Sequence, residues 1–341
     1  GLKKVRVCIA GAGRTGQVHG TNLAFRIPMA EVVAVVDSNV EAARNLASLL
    51  GGAGYYESLT EAIRKVDFDA VFITTPTFTH HPLTVEAAEA GKHVFCEKPM
   101  ALTLREADDM ISVARRNNVK LQIGFMRRFD PEFRKAKSLI DEGAIGKPVL
   151  VKSVGRGPGL PPRWALDPKT GLGMVAEVNS HDFDTLRWFM NDEFKTIYAD
   201  AAALLRPDVA EEFPGFHDVV VVAVRFQKGG LGLIDGGCPV NYAYDARVEV
   251  LGTEGLLTVG EIQGTSLIIC HKDQKMTTEP FHSWRDRFRE AYIAEAESFI
   301  RSIIEDREPE VTGEDGRKAL EATLAAIRSI KEHEPVNLPV K

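Results

Sequence analysis

Cysteine is scarce in this chain. The four cysteines, Cys8, Cys96, Cys238 and Cys270, are scattered through 341 residues, which fits neither a disulfide framework nor the paired spacing of a zinc site. Two of them, Cys8 and Cys96, fall in stretches that read as buried strands, as expected in a reducing cytoplasm. Cys96 stands beside Glu97 and reads as a packed strand residue rather than a reactive thiol. Long apolar runs are also missing: none approaches the ~20 residues of a membrane span. No signal peptide is read at the start, so a cytoplasmic location and no membrane partner are expected. An excess of positive charge is lacking too. Lys and Arg number 42 against 48 Asp and Glu, for a net charge of −6, which argues against nucleic acid or an anionic membrane surface as partner. Internal repeats and low-complexity tracts are absent as well. The remaining composition is ordinary for a globular protein, and the length exceeds the usual size of one core, so two domains are expected.

What is present begins with residues 5–10, a short apolar run that leads at once into Gly11-Ala12-Gly13-Arg14-Thr15-Gly16 and a helical segment. In a strand–turn–helix setting the first glycine makes the tight turn. The second admits a pyrophosphate, and the third lets helix and strand pack closely. A second strand, residues 31–36, ends in Asp37, where a dinucleotide-binding unit carries the carboxylate for the adenosine ribose hydroxyls. Such an aspartate is otherwise a helix cap. Helix and strand patterns then alternate, with a capping box at residues 58–61, a strand over 69–74 and a hydroxyl- and imidazole-rich turn, Thr75-Pro76-Thr77-Phe78-Thr79-His80. Residues 93–96 count as the fifth strand and 120–125 as the sixth. The pattern predicts an α/β fold, with residues 1–125 forming a doubly wound parallel sheet of the Rossmann type.

After residue 126 the pattern changes. β-rich runs recur at 149–154, 196–205, 218–226, 230–236, 247–251 and 255–259, mostly alternating or β-branched. They predict a large, mostly antiparallel sheet in an α+β domain over residues 126–341. One helix, 174–190, interrupts the strands. A last one, near 316–331, is expected to pack back on the first domain. At 100° per residue Glu177, His181, Asp184 and Trp188 share one stripe of the interrupting helix. Val175, Val178, Leu186 and Phe189 lie opposite, with Asp182 intruding. The polar front suits a cleft, and it suits plain solvation equally. Glu177 and His181 are i, i+4 neighbours, yet no second pair of metal-type ligands accompanies them, so no metal is expected.

The charged pair in Glu97-Lys98-Pro99 follows the fifth strand directly. Proline biases the residue before it towards extended geometry, so Lys98 belongs where a strand ends, the edge at which open α/β sheets bind ligands. Read alone, the pair is equally a solvated loop ion pair. With the glycine motif, Thr75-Pro76 and His80, Glu97-Lys98-Pro99 and Glu177-Val178-Asn179-Ser180-His181 together, the chain resembles the Gfo/Idh/MocA family of nicotinamide-dependent oxidoreductases along essentially its whole length. Residues 124–131 and 181–184 are similar to its inositol 2-dehydrogenase branch. The resemblance implies a dehydrogenase that uses NAD to oxidise a secondary hydroxyl of a cyclitol or sugar.

Position by position, the resemblance implies that Lys98 lies between nicotinamide and substrate, often before a cis proline bond, and that His181 is the acid/base. The family's aspartate in Asp-x-x-x-His is replaced here by Glu177, whose extra methylene moves the carboxylate by roughly an ångström, enough to change which hydroxyl it grips. The cofactor residues are then Gly11, Gly13, Arg14, Thr15, Gly16, Asp37, Ser38, Thr75, Pro76, His80, Glu97, Lys98 and Arg127. Lys98, Arg127, Trp164, Glu177 and His181 are the substrate residues. The chemistry agrees, because a base near neutrality must take the hydroxyl proton while a cation steadies the developing alkoxide. Asp37 followed by Ser38 and Asn39, with only Arg14 near, favours NAD over NADP. The sheet face that includes residues 219–224 is expected to build a homodimer or homotetramer. An NAD-dependent glycoside hydrolase of the same family and a non-catalytic cofactor-bound sensor are the alternatives, although a sensor has no need of both Lys98 and His181.

Overall fold

The computed structural model describes residues 3–341. The chain divides into two compact units. The first runs to Phe129 and also takes Glu290–Lys318, while the second comprises Asp130–Arg289 and Ala319–Lys341.

In the first unit the strands are β1 Val5–Ala10, β2 Ala30–Val36, β3 Gly54–Tyr56, β4 Ala70–Ile73, β5 His93–Cys96 and β6 Leu121–Ile123. They form one parallel sheet in the order β3-β2-β1-β4-β5-β6. Both faces are covered, so the inner strands β1, β4 and β5 are apolar at every position but Arg6 and His93 instead of alternating. The connecting helices are α1 Arg14–Phe25, α2 Val40–Leu49, α3 Leu59–Lys65, α4 His80–Glu89 and α5 Leu104–Arg116. Ser58 and Thr103 start α3 and α5 by accepting the main-chain N–H groups of Glu61 and Glu106 at 3.2 and 3.1 Å. The strand order reverses between β1 and β4, and it is there, beyond the carboxyl ends of the strands, that a sheet of this kind binds a ligand.

The second unit opens with α6 Pro131–Asp141 and β7 Pro148–Arg156, followed by α7 Arg163–Leu166, α8 Met174–Glu177 and α9 Ser180–Met190. Then come β8 Phe194–Ala202, α10 Pro207–Glu212, β9 Val219–Phe226, β10 Leu231–Gly237, β11 Asp245–Gly252, β12 Gly255–Val259, β13 Gln263–Cys270, β14 Met276–Pro280 and α11 Trp284–Arg287. The chain ends with α12 Arg289–Ile304, α13 Gly313–Glu332 and β15 Val336–Asn337. The large sheet has the order β12-β11-β7-β10-β9-β8-β15. All its pairings are antiparallel except β7 with β10. A separate hairpin joins β13 to β14.

Three features depart from the sequence reading. The helix expected over 174–190 is broken into α8 and α9 at Val178 and Asn179. Asn179 is fully buried and its Nδ2 donates to the Gly155 carbonyl oxygen (3.1 Å) and to Asp182 (2.8 Å), so tertiary bonds hold the break. The 100° stripe drawn through Glu177 and His181 therefore does not run along one straight helix. Asp182 is no intruder on an apolar face: it is fully buried and accepts the Ser153 hydroxyl from β7. The third departure is at the end of the chain. A single cut after residue 125 misses α12, whose Ala296, Phe299 and Ile300 join the core of the first unit. Of α13, only Gly313–Lys318 belongs with that unit, Gly313 facing Ile111 and Leu121 and Gly316 facing Ile123 and Met100. The rest belongs to the second unit, where Ser329 is bonded to Ala199 of β8.

Phe72 and Phe95 stack at 4.5 Å, and Phe299 of α12 meets both edge-on at 5.6 and 5.8 Å. Each such pair adds about 0.5–1.5 kcal/mol beyond simple burial. Among the described residues no helix is long and apolar enough to cross a membrane.

Candidate active site

The glycine turn follows from local sterics. Gly11 has φ +110°, and a Cβ there would stand 2.6 Å from the Thr74 hydroxyl. A side chain therefore fails twice at this position, on conformation and on space. A Cβ on Gly16 would lie 1.7 Å from the Gly11 carbonyl oxygen, so α1 can approach β1 only with hydrogen there. Gly13 differs: a Cβ would meet nothing within 4 Å, and no side chain caps the helix it begins. The first N–H groups of α1 thus have no side-chain cap, and Gly13 leaves room beside them for a group such as a pyrophosphate. Arg14 is exposed and Thr15 half-buried beside them.

Asp37 ends β2. Its Oδ2 accepts the Ala12 N–H at 2.8 Å and its Oδ1 the Asn39 N–H at 2.8 Å, while Asn39 itself caps α2. One carboxylate oxygen is thereby pinned to the glycine turn, and each oxygen keeps a lone pair for ribose hydroxyls. Ser38 is exposed next to it. These residues fit a dinucleotide: a helix N-terminus without a side-chain cap for the phosphates and an anchored carboxylate for the sugar. The sequence reading passed over Thr74, whose hydroxyl donates to the carbonyl oxygens of Ala10 (3.0 Å) and Gly11 (3.1 Å), tying the end of β4 to the turn.

Thr75 and Pro76 are half-buried after β4. His80, expected along the cofactor, is buried, with Nδ1 against the Pro99 carbonyl oxygen and Nε2 against that of Thr75, both at 2.8 Å. Burial lowers its pKa against the pull of those carbonyls. It braces the Thr75 turn against the Pro99 turn. Glu97 is buried at the end of β5, and Lys98, half-buried, precedes a cis bond to Pro99. The main-chain N–H of Lys98 donates to Glu97 Oε2 at 3.3 Å. Burial pushes the neighbouring Cys96 thiol far up, which makes it inert. Arg127 is buried in the turn after β6. The loop placed around Trp164 contains α7, and the Trp164 carbonyl oxygen accepts the Thr170 hydroxyl at 2.6 Å.

In the second unit Glu177 is half-buried at the end of α8 and His181 is buried in the first turn of α9. The His181 carbonyl oxygen accepts the Thr185 hydroxyl at 2.8 Å. The Ser153–Asp182–Asn179 bonds lock that first turn onto β7. Ser153 lies 29 positions from Asp182, too far for helical periodicity to reveal. The only hint in the sequence was an acid on an apolar stripe.

Comparison with known proteins agrees with this arrangement. Residues 5–125 match the model for the GFO/IDH/MocA oxidoreductase family with an NAD-binding Rossmann fold, and residues 133–258 match the GFO/IDH/MocA C-terminal domain. The chain is 33% identical over 334 residues to a myo-inositol 2-dehydrogenase of Thermotoga maritima, covering 98% of each. It is 34% identical to an NAD(+)-dependent scyllo-inositol 2-dehydrogenase of Bacillus subtilis, over 99% of this chain and 97% of the relative. The crystal structure of a scyllo-inositol dehydrogenase from Lactobacillus casei with bound NAD(H) and scyllo-inositol superimposes with a TM-score of 0.90, at 26% identity over 98% of this chain and 99% of the other. With both domain models matched in order, and a glycine turn and an anchored Asp37 shaped for a dinucleotide, this chain belongs to the Gfo/Idh/MocA family of NAD-using oxidoreductases that act on CH–OH groups.

Proposed function

We propose that the chain oxidises a secondary ring hydroxyl of a cyclitol, with inositols as the substrate class. The observation that supports this reading is end-to-end similarity to inositol dehydrogenases, one of them solved with NAD(H) and scyllo-inositol bound. NAD, when bound, supplies the hydride acceptor. Gly11, Gly13, Arg14, Thr15 and Gly16 receive its phosphates, Asp37 and Ser38 the adenosine ribose, and Thr75, Pro76 and Glu97 line the strand ends, with His80 bracing the turn. Lys98 steadies the oxygen as its proton leaves, and His181 takes that proton. Glu177, Arg127 and Trp164 grip the remaining hydroxyls and the ring. The test is an absorbance screen for NADH with inositols, aldoses and uronic acids. An inositol should give the highest kcat/KM. Release of sugar from a glycoside without net NADH would move the assignment to hydrolysis.

NAD should be preferred over NADP by at least roughly tenfold in kcat/KM. A 2′-phosphate would bring negative charge against the Asp37 carboxylate, a repulsion of one or more kcal/mol at close range. Equal efficiency with the two cofactors would remove Asp37 from the ribose.

Assembly follows from the sheet of the second unit. Along β9 the even positions Val220, Val222 and Val224 are buried, while Val221 is 56% exposed. On this open face Leu256, Leu251, Leu150 and Leu231 stand opposite one another on successive strands β12, β11, β7 and β10. A cross-strand apolar row of this kind calls for cover. We take a second copy to cover it, giving a homodimer or a homotetramer. Light scattering at micromolar concentration should find no monomer in the wild type and a shift towards monomer in Leu231→Arg. A monomeric wild type would sink the idea.

A further inference from the structure

Next to Lys98 in the chain, Glu97 joins a buried cluster whose other two members the proposed chemistry does not use. His19, on the buried side of α1, points its Nε2 at Glu97 Oε1 at 2.7 Å and at Glu295 Oε1 of α12 at 3.8 Å. One ligand-type atom of each of the three residues falls within 4.8 Å of the others. His19 and Glu295 are fully buried and Glu97 is 7% exposed. The imidazole is wedged among Phe72, Phe95 and Tyr292, with ring centroids at 5.3, 5.0 and 5.7 Å. Both Glu295 carboxyl oxygens and His19 Nδ1 lack a hydrogen-bond partner among the described residues. Glu97 is also confined from the side, since a Cβ on Gly124 would lie 2.6 Å from its Oε2.

We propose that His19 and Glu295 are positioning residues for Lys98: His19 clamps the Glu97 carboxylate, whose other oxygen holds the Lys98 main-chain N–H, and Glu295 backs the imidazole. This rests on the assignment of Lys98 to the reacting hydroxyl. The short Nε2–Oε1 separation is that of a charge-assisted hydrogen bond, which leaves a proton rather than a metal ion between the two groups. Two ionised carboxylates in one aromatic box would be costly, so one stays neutral. Burial and then the charge of Glu97 raise the pKa of Glu295 well above its ordinary 4.5, so Glu295 is the protonated member. The other titratable groups around the pair are Lys98 itself, Tyr292 on α12, and Cys96 and His80, both of which feel the Glu97 charge.

A carboxyl that stays protonated when folded but ionises when unfolded makes the folded state bind more protons. Stability is then full below the unfolded pKa and falls as pH rises from there towards the raised folded pKa. Glu295→Gln is isosteric with the neutral acid and removes this loss. Its melting temperature should gain on the wild type more near pH 8 than near pH 5. Infrared spectra of the wild type near neutral pH should contain a protonated-carboxyl band that Glu295→Gln lacks. His19→Ala should lower kcat for an inositol by roughly ten- to a hundredfold, with NAD affinity little changed, and His19→Gln, which restores an N–H of similar reach, should recover most of it. Absence of the carboxyl band overturns the proposal. So does a stoichiometric divalent metal in the purified protein, or wild-type kcat in His19→Ala. If no cyclitol is turned over at all, the functional reading fails, and the band and the pH dependence of melting still judge the cluster.

Discussion

Replacing Lys98 by alanine is expected to lower turnover of a cyclitol by roughly 10²–10⁴, the range for losing a charge-stabilising or proton-handling group in a water-poor site. NAD affinity should change far less. In the proposed assignment the cofactor's phosphates and ribose are held by the turn around Gly11, Gly13 and Gly16 and by Asp37, at the ends of β1 and β2, whereas Lys98 follows β5. Steady-state kinetics and a separate NAD titration by fluorescence would divide the two effects, kcat falling and Kd holding. Lys98→Arg is not a conservative control, because a planar fork replaces a compact point charge. Turnover in Lys98→Ala close to that of the wild type would reduce the residue to a loop cation beside Glu97.

His181→Ala is expected to lose both rate and pH dependence. Oxidation needs the hydroxyl proton removed as the carbon is oxidised, so the base must be in its neutral form. In the wild type kcat/KM should therefore rise with pH through a single ionisation at roughly 6–8, the range of a histidine near its ordinary value. In His181→Ala that ionisation should vanish while NAD still binds. The competing imidazoles are otherwise engaged. His80 is held between two carbonyl oxygens and His81 by Asp109 at 2.7 Å. A mutant that keeps the wild-type rate and profile would show that another group is the base.

Much of the cofactor site was legible in the residues alone. A glycine that must take positive φ, a helix that must approach a strand closely, an acid at the next strand end and apolar strands alternating with helices are all statements about neighbours within about twenty residues. Local sterics and periodicity dictate those. The Glu97-Lys98-Pro99 turn was readable for the same reason, since proline acts on the residue next to it. Tertiary structure decided the rest. Helix α12 was not foreseen, and nothing in its own residues says that Phe299 will close the Phe72–Phe95 stack some two hundred positions earlier in the chain. The break between α8 and α9 is invisible to a 100° wheel, because it is held by Asn179 on Gly155 and by Asp182 on Ser153. Nothing in the local sequence marks His19 or Glu295. They become a buried unit with Glu97 only when α1, β5 and α12 are folded together. Contacts distant in sequence carry no periodicity, so the glycine turn and the acid at the next strand end could be read from the sequence, whereas the cluster of His19, Glu97 and Glu295 required the fold.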